Sequence, residues 1–350
     1  MKYRTIPGTE LTLSEIGFGT WTVSTGWWGQ FTDEEAVHLL QKAHQEYGIT
    51  FFDAADTYGN GRSEELLAKA FAGCRDQVVI GSKFAYDIYD NPEQRTGQRE
   101  LPQKTTPEYI RFAVEESLKR LQTDYLDLYQ VHNAKMDHIE DDDIFETLDA
   151  LKAEGKIRYN GLALGPAIGW LAEGVRAVRE REVDTLMVIY SLIEQHPGDA
   201  FIEECHRRGN KTGLIVRVPH SSGMLEGHYN ENTTFEKTDH RSHRPKHWLT
   251  NGLKKVEQLR FLEKPNRTMG QMALQFVLSE PAMTSVLPNI YNEEQLKEFA
   301  TAVDCPSLTI EELATIRDLV ANNFGIEDEP PMMYKGTMIH PDETKTLAAV

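Results

Sequence analysis

Eight short apolar runs, each followed by a segment patterned as a helix, constrain this 350-residue chain more than any other feature. The runs are SEIGFGT, ITFFDAA, VVIGSKFA, YLDLYQVH, IRYNGLAL, TLMVIYSL, TGLIVRVP and MTSVLPN. Several are apolar on both faces, as strands covered on both sides must be. The segments between them carry helix signals. Thr32 with Glu35 three residues on forms a capping box. Thr106 precedes Pro107 at a first helical position, and Ile110, Ala113, Val114, Leu118 and Leu121 then form one apolar stripe. The run EDDDIFETLDALKAEGK puts acid at a helix's positive end and finishes on Gly155 and Lys156. Thr309 and Glu312 repeat the capping box. Eight strand–helix units over ~300 residues predict an α/β protein, a single-domain (β/α)8 TIM barrel over 1–322. Residues 323–350 lack periodicity and read as a tail packed over the barrel. A doubly wound sheet is the alternative, but no G-x-G-x-x-G follows the first run. The longest irregular stretch, about 219–246, is a functional or mobile loop by its length.

Bulk properties exclude several classes. Thirty-seven basic and 55 acidic residues leave a net charge of −18, which opposes nucleic-acid phosphates and an anionic membrane surface. No stretch approaches the ~20 apolar residues of a membrane span. The opening MKYRTIPGTELTLSE lacks the apolar core of a signal peptide. Cys74, Cys205 and Cys305 form no C-x-x-C and read as reduced thiols of a cytoplasmic protein. The segment DHRSHRPKHWL gathers His240, His243 and His247 with Arg241, Arg244 and Lys246. Pro245 breaks the helix that would align the histidines, so no metal site is expected. The cluster reads as a basic helix entrance, or as cations held over an anionic ligand. Trp21, Trp27 and Trp28 form an aromatic wall for a ring or sugar, or pack beneath their loop.

In a (β/α)8 barrel the C-terminal strand ends face the active site. The second run ends on Asp53, with Tyr58 just beyond; the third carries Lys83 at its end; the fourth ends on His132. Taken singly, each has a plain explanation: a turn cap, a rim aromatic, a solvated lysine, a structural histidine. Together, at successive strand ends, they make chemical sense. A tyrosine hydroxyl, with a pKa of ~10 in isolation, is a poor acid near neutrality. A neighbouring ammonium favours the phenolate, an aspartate holds that ammonium charged, and an imidazole positions a carbonyl oxygen. The set is a proton donor aimed at a developing alkoxide.

These stretches resemble the aldo-keto reductase family. FFDAADTYGNGRSE, VVIGSKF, YLDLYQVHN, GKIRYNGLA and SSGMLEGHY follow that family's order and spacing over roughly 1–320. The resemblance implies a (β/α)8 barrel with a catalytic tetrad of Asp53, Tyr58, Lys83 and His132. In it Tyr58 is the general acid, Lys83 tunes it, Asp53 supports Lys83, and His132 orients the substrate. It also implies that NADPH or NADH binds in extended form, against Gly19, Thr20, Trp21, Asp53, Met187, Arg217, Asn289 and Gln295. Some positions depart from the family pattern. Ala163 and Leu164 stand where Ser-Asn is common, and Met187 where Gln is common, so three contacts to the nicotinamide carboxamide are lost. Arg217 holds a position that often carries a stacking aromatic. Tyr291 stands where a cation often meets the 2′-phosphate, and Phe299 where an asparagine meets adenine. Glu293, Glu294 and Glu298 would repel a 2′-phosphate.

The expected function is NAD(P)H-dependent reduction of an aldehyde or ketone, sugar-like in one reading. The alternative keeps the tetrad without hydride transfer, as a lyase or isomerase with a weakened nicotinamide site. A weaker alternative is a non-catalytic regulatory subunit. The expected partner is a small-molecule carbonyl or sugar-like substrate, with neither nucleic acid nor membrane.

Overall fold

Every one of the eight runs becomes a strand in the computed structural model, which describes residues 1–90, 101–165 and 170–327. An N-terminal antiparallel pair, β1 (Tyr3–Thr5) and β2 (Thr12–Ser14), comes first. The barrel strands follow: β3 (Phe18–Gly19), β4 (Phe51–Asp53), β5 (Val79–Phe84), β6 (Leu126–His132), β7 (Ile157–Ala163), β8 (Thr185–Ile189), β9 (Gly213–Arg217) and β10 (Met283–Leu287). Each pairs in parallel with the next in sequence. Val286 closes the ring by backbone hydrogen bonds to Glu15 and Gly17, each 2.8 Å. The result is a (β/α)8 barrel with helices outside.

The helices start where the sequence places their caps. Thr32 Oγ1 accepts from the Glu35 amide at 3.2 Å while Glu35 Oε2 accepts from the Thr32 amide at 2.8 Å. The same reciprocal pair forms at Thr309 and Glu312, and each cap contributes about 1 kcal/mol. Leu40, Leu66, Ile110, Val114, Leu148, Val178, Phe201 and Leu274 fill the layer between strands and helices. Inside the barrel, Phe51, Leu128, Ala163, Met187, Ile215 and Leu287 form a second cluster.

Ile6, Leu11 and Leu13 join that inner cluster. They belong to the β1–β2 pair, which the expected strand set does not include. Its signal is short: Pro7-Gly8 between alternating apolar residues, with Gly8 at φ +85°. The pair stoppers the barrel's N-terminal end, which leaves chemistry to the opposite mouth.

The long stretch after β9 is packed at its start and largely exposed beyond it. It contains short turns at Met224–Glu226 and His240–His243 before the helix Lys246–Leu259. Met224 and Leu225 pack with Val256, Leu259, Met269 and Ile316. Phe324, at the start of the expected tail, joins the same cluster, and its carbonyl accepts from Gln258 Nε2 at 2.8 Å. The rest of that tail, 328–350, lies outside the described residues. Among the described residues, no helix is long and apolar enough to cross a membrane.

Candidate active site

Period-two alternation in the strands decides which side chains reach the barrel axis. In β6, Leu128 points into the inner cluster while Tyr129 and Val131 pack in the outer layer. Gln130 and His132 therefore share the inner face with Leu128. Register then brings partners together: Lys83 of β5 lies beside Gln130, and Asp53 of β4 beside Gly81.

Lys83 Nζ sits 2.7 Å from both Asp53 carboxylate oxygens and 2.7 Å from the Ala54 carbonyl oxygen. It also lies 4.7 Å from the centroid of the Tyr58 ring, and the phenol favours its charged form. The ammonium protons are thus directed at the carboxylate and one carbonyl, with the phenol beside them. The Tyr58 ring meets His132 edge-on at 5.7 Å, and His132 meets Tyr86 at 5.1 Å. Thr57 Oγ1 lies 3.4 Å from His132 Nδ1, and the Gln103 amide donates to the His132 carbonyl at 2.8 Å.

Burial sets the electrostatics. Lys83 is wholly buried and His132 is 7% exposed, whereas Tyr58 is half-buried and meets the mouth. Burial opposes the Lys83 charge, but the Asp53 carboxylate outweighs it and holds the pKa above the ordinary lysine value. Burial pushes Asp53 above the usual carboxylate range, opposed by Lys83, then Arg217 and Gln130. The loop bearing Tyr58 is held rigidly. The Ser63 hydroxyl donates to the Ala55 carbonyl at 2.9 Å, and Gly59, at φ +64°, has no room for a side chain against the Ser24 carbonyl. Behind it, Arg120 and Ser82 donate to the buried Glu64 carboxylate. Burial first, and Glu64 next, raise Asp56 well above the usual range.

The other expected residues divide into three groups. Thr20 joins the floor beneath the Asp53–Lys83 pair: its amide and hydroxyl donate to the Asp53 carbonyl at 2.9 and 2.8 Å, just after half-buried Gly19 at the end of β3. Arg217 closes the far side, its guanidinium donating to the Leu164 carbonyl at 2.8 Å. Met187 and Ala163 are buried in the inner cluster below it. Trp21 packs against Trp27, Trp28 and His240, so the β3 and β9 loops meet. Gln295 and half-buried Asn289 follow β10. The Gln295 amide donates to Glu226 at 3.0 Å and accepts from the Tyr291 amide at 3.2 Å.

Several charges lie elsewhere than the chain order suggests. Glu293 faces the helix Asp33–Gln45, bonded to His38 and Lys42 at 3.1 Å each. Glu294 is exposed. Arg241 is committed to Asp239 and Tyr229 and covers Trp28 at 4.1 Å, so the loop's own packing engages its charge. Two residues, buried Gln130 and half-buried Glu226, escape the sequence reading. Gln130 was detectable, two positions before His132 and hence on its face. Glu226 had no such signal, because it meets Gln295 across 69 positions. Burial, with Glu298 adding to it, lifts Glu226 to about 7.

Comparison with known proteins gives the family and agrees with the barrel fold. The family model described as Aldo/keto reductase family matches residues 15–321. The chain belongs to the aldo/keto reductase family. An aldo-keto reductase, YhdN, of Bacillus subtilis is 30% identical over 96% of this chain and 99% of that protein. The NADH-specific methylglyoxal reductase of Escherichia coli is 29% identical over 87% of this chain and 94% of that protein. Among solved structures, a glycerol dehydrogenase, AKR11B4, from Gluconobacter oxydans superposes with a TM-score of 0.77 at 25% identity, covering 95% of this chain and 98% of that one. Aldo/keto reductases are oxidoreductases acting on carbonyl or alcohol groups and use NAD(P)H, and this chain is one of them.

Proposed function

We propose that this aldo/keto reductase reduces a small polar aldehyde or ketone, with Tyr58 as the proton donor. The Lys83 ammonium, bonded to Asp53 and lying 4.7 Å from the centroid of the Tyr58 ring, carries this reading. When bound, the reduced nicotinamide supplies a hydride to the carbonyl carbon. Tyr58 passes its proton to the carbonyl oxygen. Lys83 stabilises the phenolate left behind, and Asp53 keeps Lys83 charged. His132, held by Thr57 and packed against Tyr58, orients the carbonyl oxygen. The small substrates named for the methylglyoxal and glycerol enzymes support a small polar carbonyl compound here.

Gly19, Thr20, Trp21, Arg217, Asn289 and Gln295 would hold the dinucleotide along the β3, β9 and β10 ends. Ala163, Leu164 and Met187 offer no side-chain donor, while the Arg217 guanidinium reaches across that side. Arg217 is the residue proposed to donate to the carboxamide oxygen. Glu226 and Glu298 flank Gln295 with negative charge and favour NADH over NADPH. Nicotinamide fluorescence tests the cofactor reading: saturable binding, tighter for NADH than for NADPH, is expected, and tighter NADPH binding overturns the preference. Tyr58→Phe is expected to bind NADH normally and lose carbonyl reduction.

A further inference from the structure

We propose that Gln130 is a positioning residue for proton transfer, acting on Tyr58 through the Asp53–Lys83 ion pair. This rests on the tetrad reading above. Gln130 lies in register with Lys83 on one side and Gly161 on the other, inside the barrel and one inward position below His132. It is fully buried. Its amide faces Asp53 and lowers that carboxyl's pKa, yet neither Nε2 nor Oε1 closes a hydrogen bond at full geometry. Thr185 Oγ1, on β8 across Gly161, is likewise buried and unpartnered. A Cβ on Gly161 would lie 2.1 Å from that oxygen and 3.2 Å from Gln130 Cγ, so the strand supplies space rather than a partner.

A buried amide with incomplete hydrogen bonds destabilises a core relative to an apolar side chain of the same volume. Packing alone therefore favours methionine or leucine here. What the amide adds is a dipole beside a carboxylate in a site from which water is excluded. Asp53 is opposed by burial and supported by Lys83, Arg217 and Gln130. Arg217 is engaged by the Leu164 carbonyl. Without the Gln130 dipole, Asp53 holds a proton more readily. Each proton on Asp53 removes the countercharge that keeps Lys83 an ammonium, and Lys83 Nζ lies 4.7 Å from the centroid of the Tyr58 ring. The residue touches neither the substrate nor the transferred proton and works through the pair.

The test compares the intact protein with Gln130→Met and Gln130→Asn. Infrared titration of the Asp53 carboxyl, assigned by difference against Asp53→Asn, is the primary readout. In Gln130→Met, Asp53 is expected to protonate about one pH unit higher, with Gln130→Asn between the two. The basic limb of the carbonyl-reduction pH profile should move in the same order. An Asp53 titration that coincides in all three folded proteins overturns the proposal and leaves Gln130 as packing. Should Gln130→Met not fold, Gln130→Asn alone decides by the same shift. The carboxyl titration needs no substrate, so a protein that reduces no carbonyl compound refutes the proposed function without touching this result.

Discussion

At the residue scale the site depends on one buried cation. Lys83 is wholly enclosed, bonded to Asp53 and Ala54, with the Tyr58 ring centroid 4.7 Å away. Lys83→Met removes the charge proposed to tune Tyr58 and leaves the Asp53 carboxylate buried without its partner. Loss of one member of such a pair costs ~3–5 kcal/mol, so the urea midpoint should fall markedly, together with activity. Tyr58→Phe removes the proposed proton donor from a half-exposed position. Its stability should stay within about 1 kcal/mol of the parent, while carbonyl reduction falls ~10²–10⁴-fold. Equal stability losses in the two variants would contradict the division of labour between them. Asp53, Lys83 and His132 were legible because they end successive apolar runs. The Thr57 contact to His132 and the placement of Gln130 beside Lys83 were not, since both depend on how neighbouring segments come together.

At the element scale, two packing devices make their own predictions. The β1–β2 pair drives Ile6, Leu11 and Leu13 into the barrel's closed end. Leu13→Ala opens a cavity there and should cost ~2–5 kcal/mol in urea unfolding. A loss under about 1 kcal/mol would show that the pair covers the barrel without supporting it. The helix Ile310–Ala321 is tied down by Glu312, which accepts from Arg267 at 2.6 Å while capping its own helix. Burial opposes the Glu312 charge, but Arg267 and the Thr309 amide outweigh it and hold the pKa at about 2. The folded value lies below the unfolded one, so this stabilisation is complete above ~4.5 and is lost as pH falls towards 2. Glu312→Gln should lower stability by ~2–3 kcal/mol at pH 7, and the gap from the parent should close at acid pH. Caps were readable from residue pairs three apart, whereas the Glu312–Arg267 contact spans 45 positions and depends on the fold.

At the scale of the whole molecule, a net charge of −18 disfavours any anionic ligand, and Glu226 with Glu298 is proposed to add local negative charge beside the cofactor track. Glu226 titrates at about 7, so its charge is fully present only above that pH. NADPH should lose affinity relative to NADH as pH rises through 7. Glu226→Gln should flatten that dependence and tighten NADPH about tenfold relative to NADH, near 1.4 kcal/mol, as measured by fluorescence titration. An unchanged NADPH-to-NADH ratio would remove Glu226 from the specificity reading. Local order in the chain, from alternation, helix stripes and caps, was enough to determine eight strand–helix units, and with them the closed barrel and the mouth that carries Asp53, Lys83 and His132. These are short-range properties, set by the period of the backbone and by side chains a few positions apart. Contacts between distant segments were decided by the tertiary structure alone: Glu293 turned outward to Lys42, Glu226 brought to Gln295, Arg241 folded onto Trp28, and the first hairpin set as a stopper. Burial and charge neutralisation select those pairings once the cylinder has closed, and no spacing along the chain encodes them.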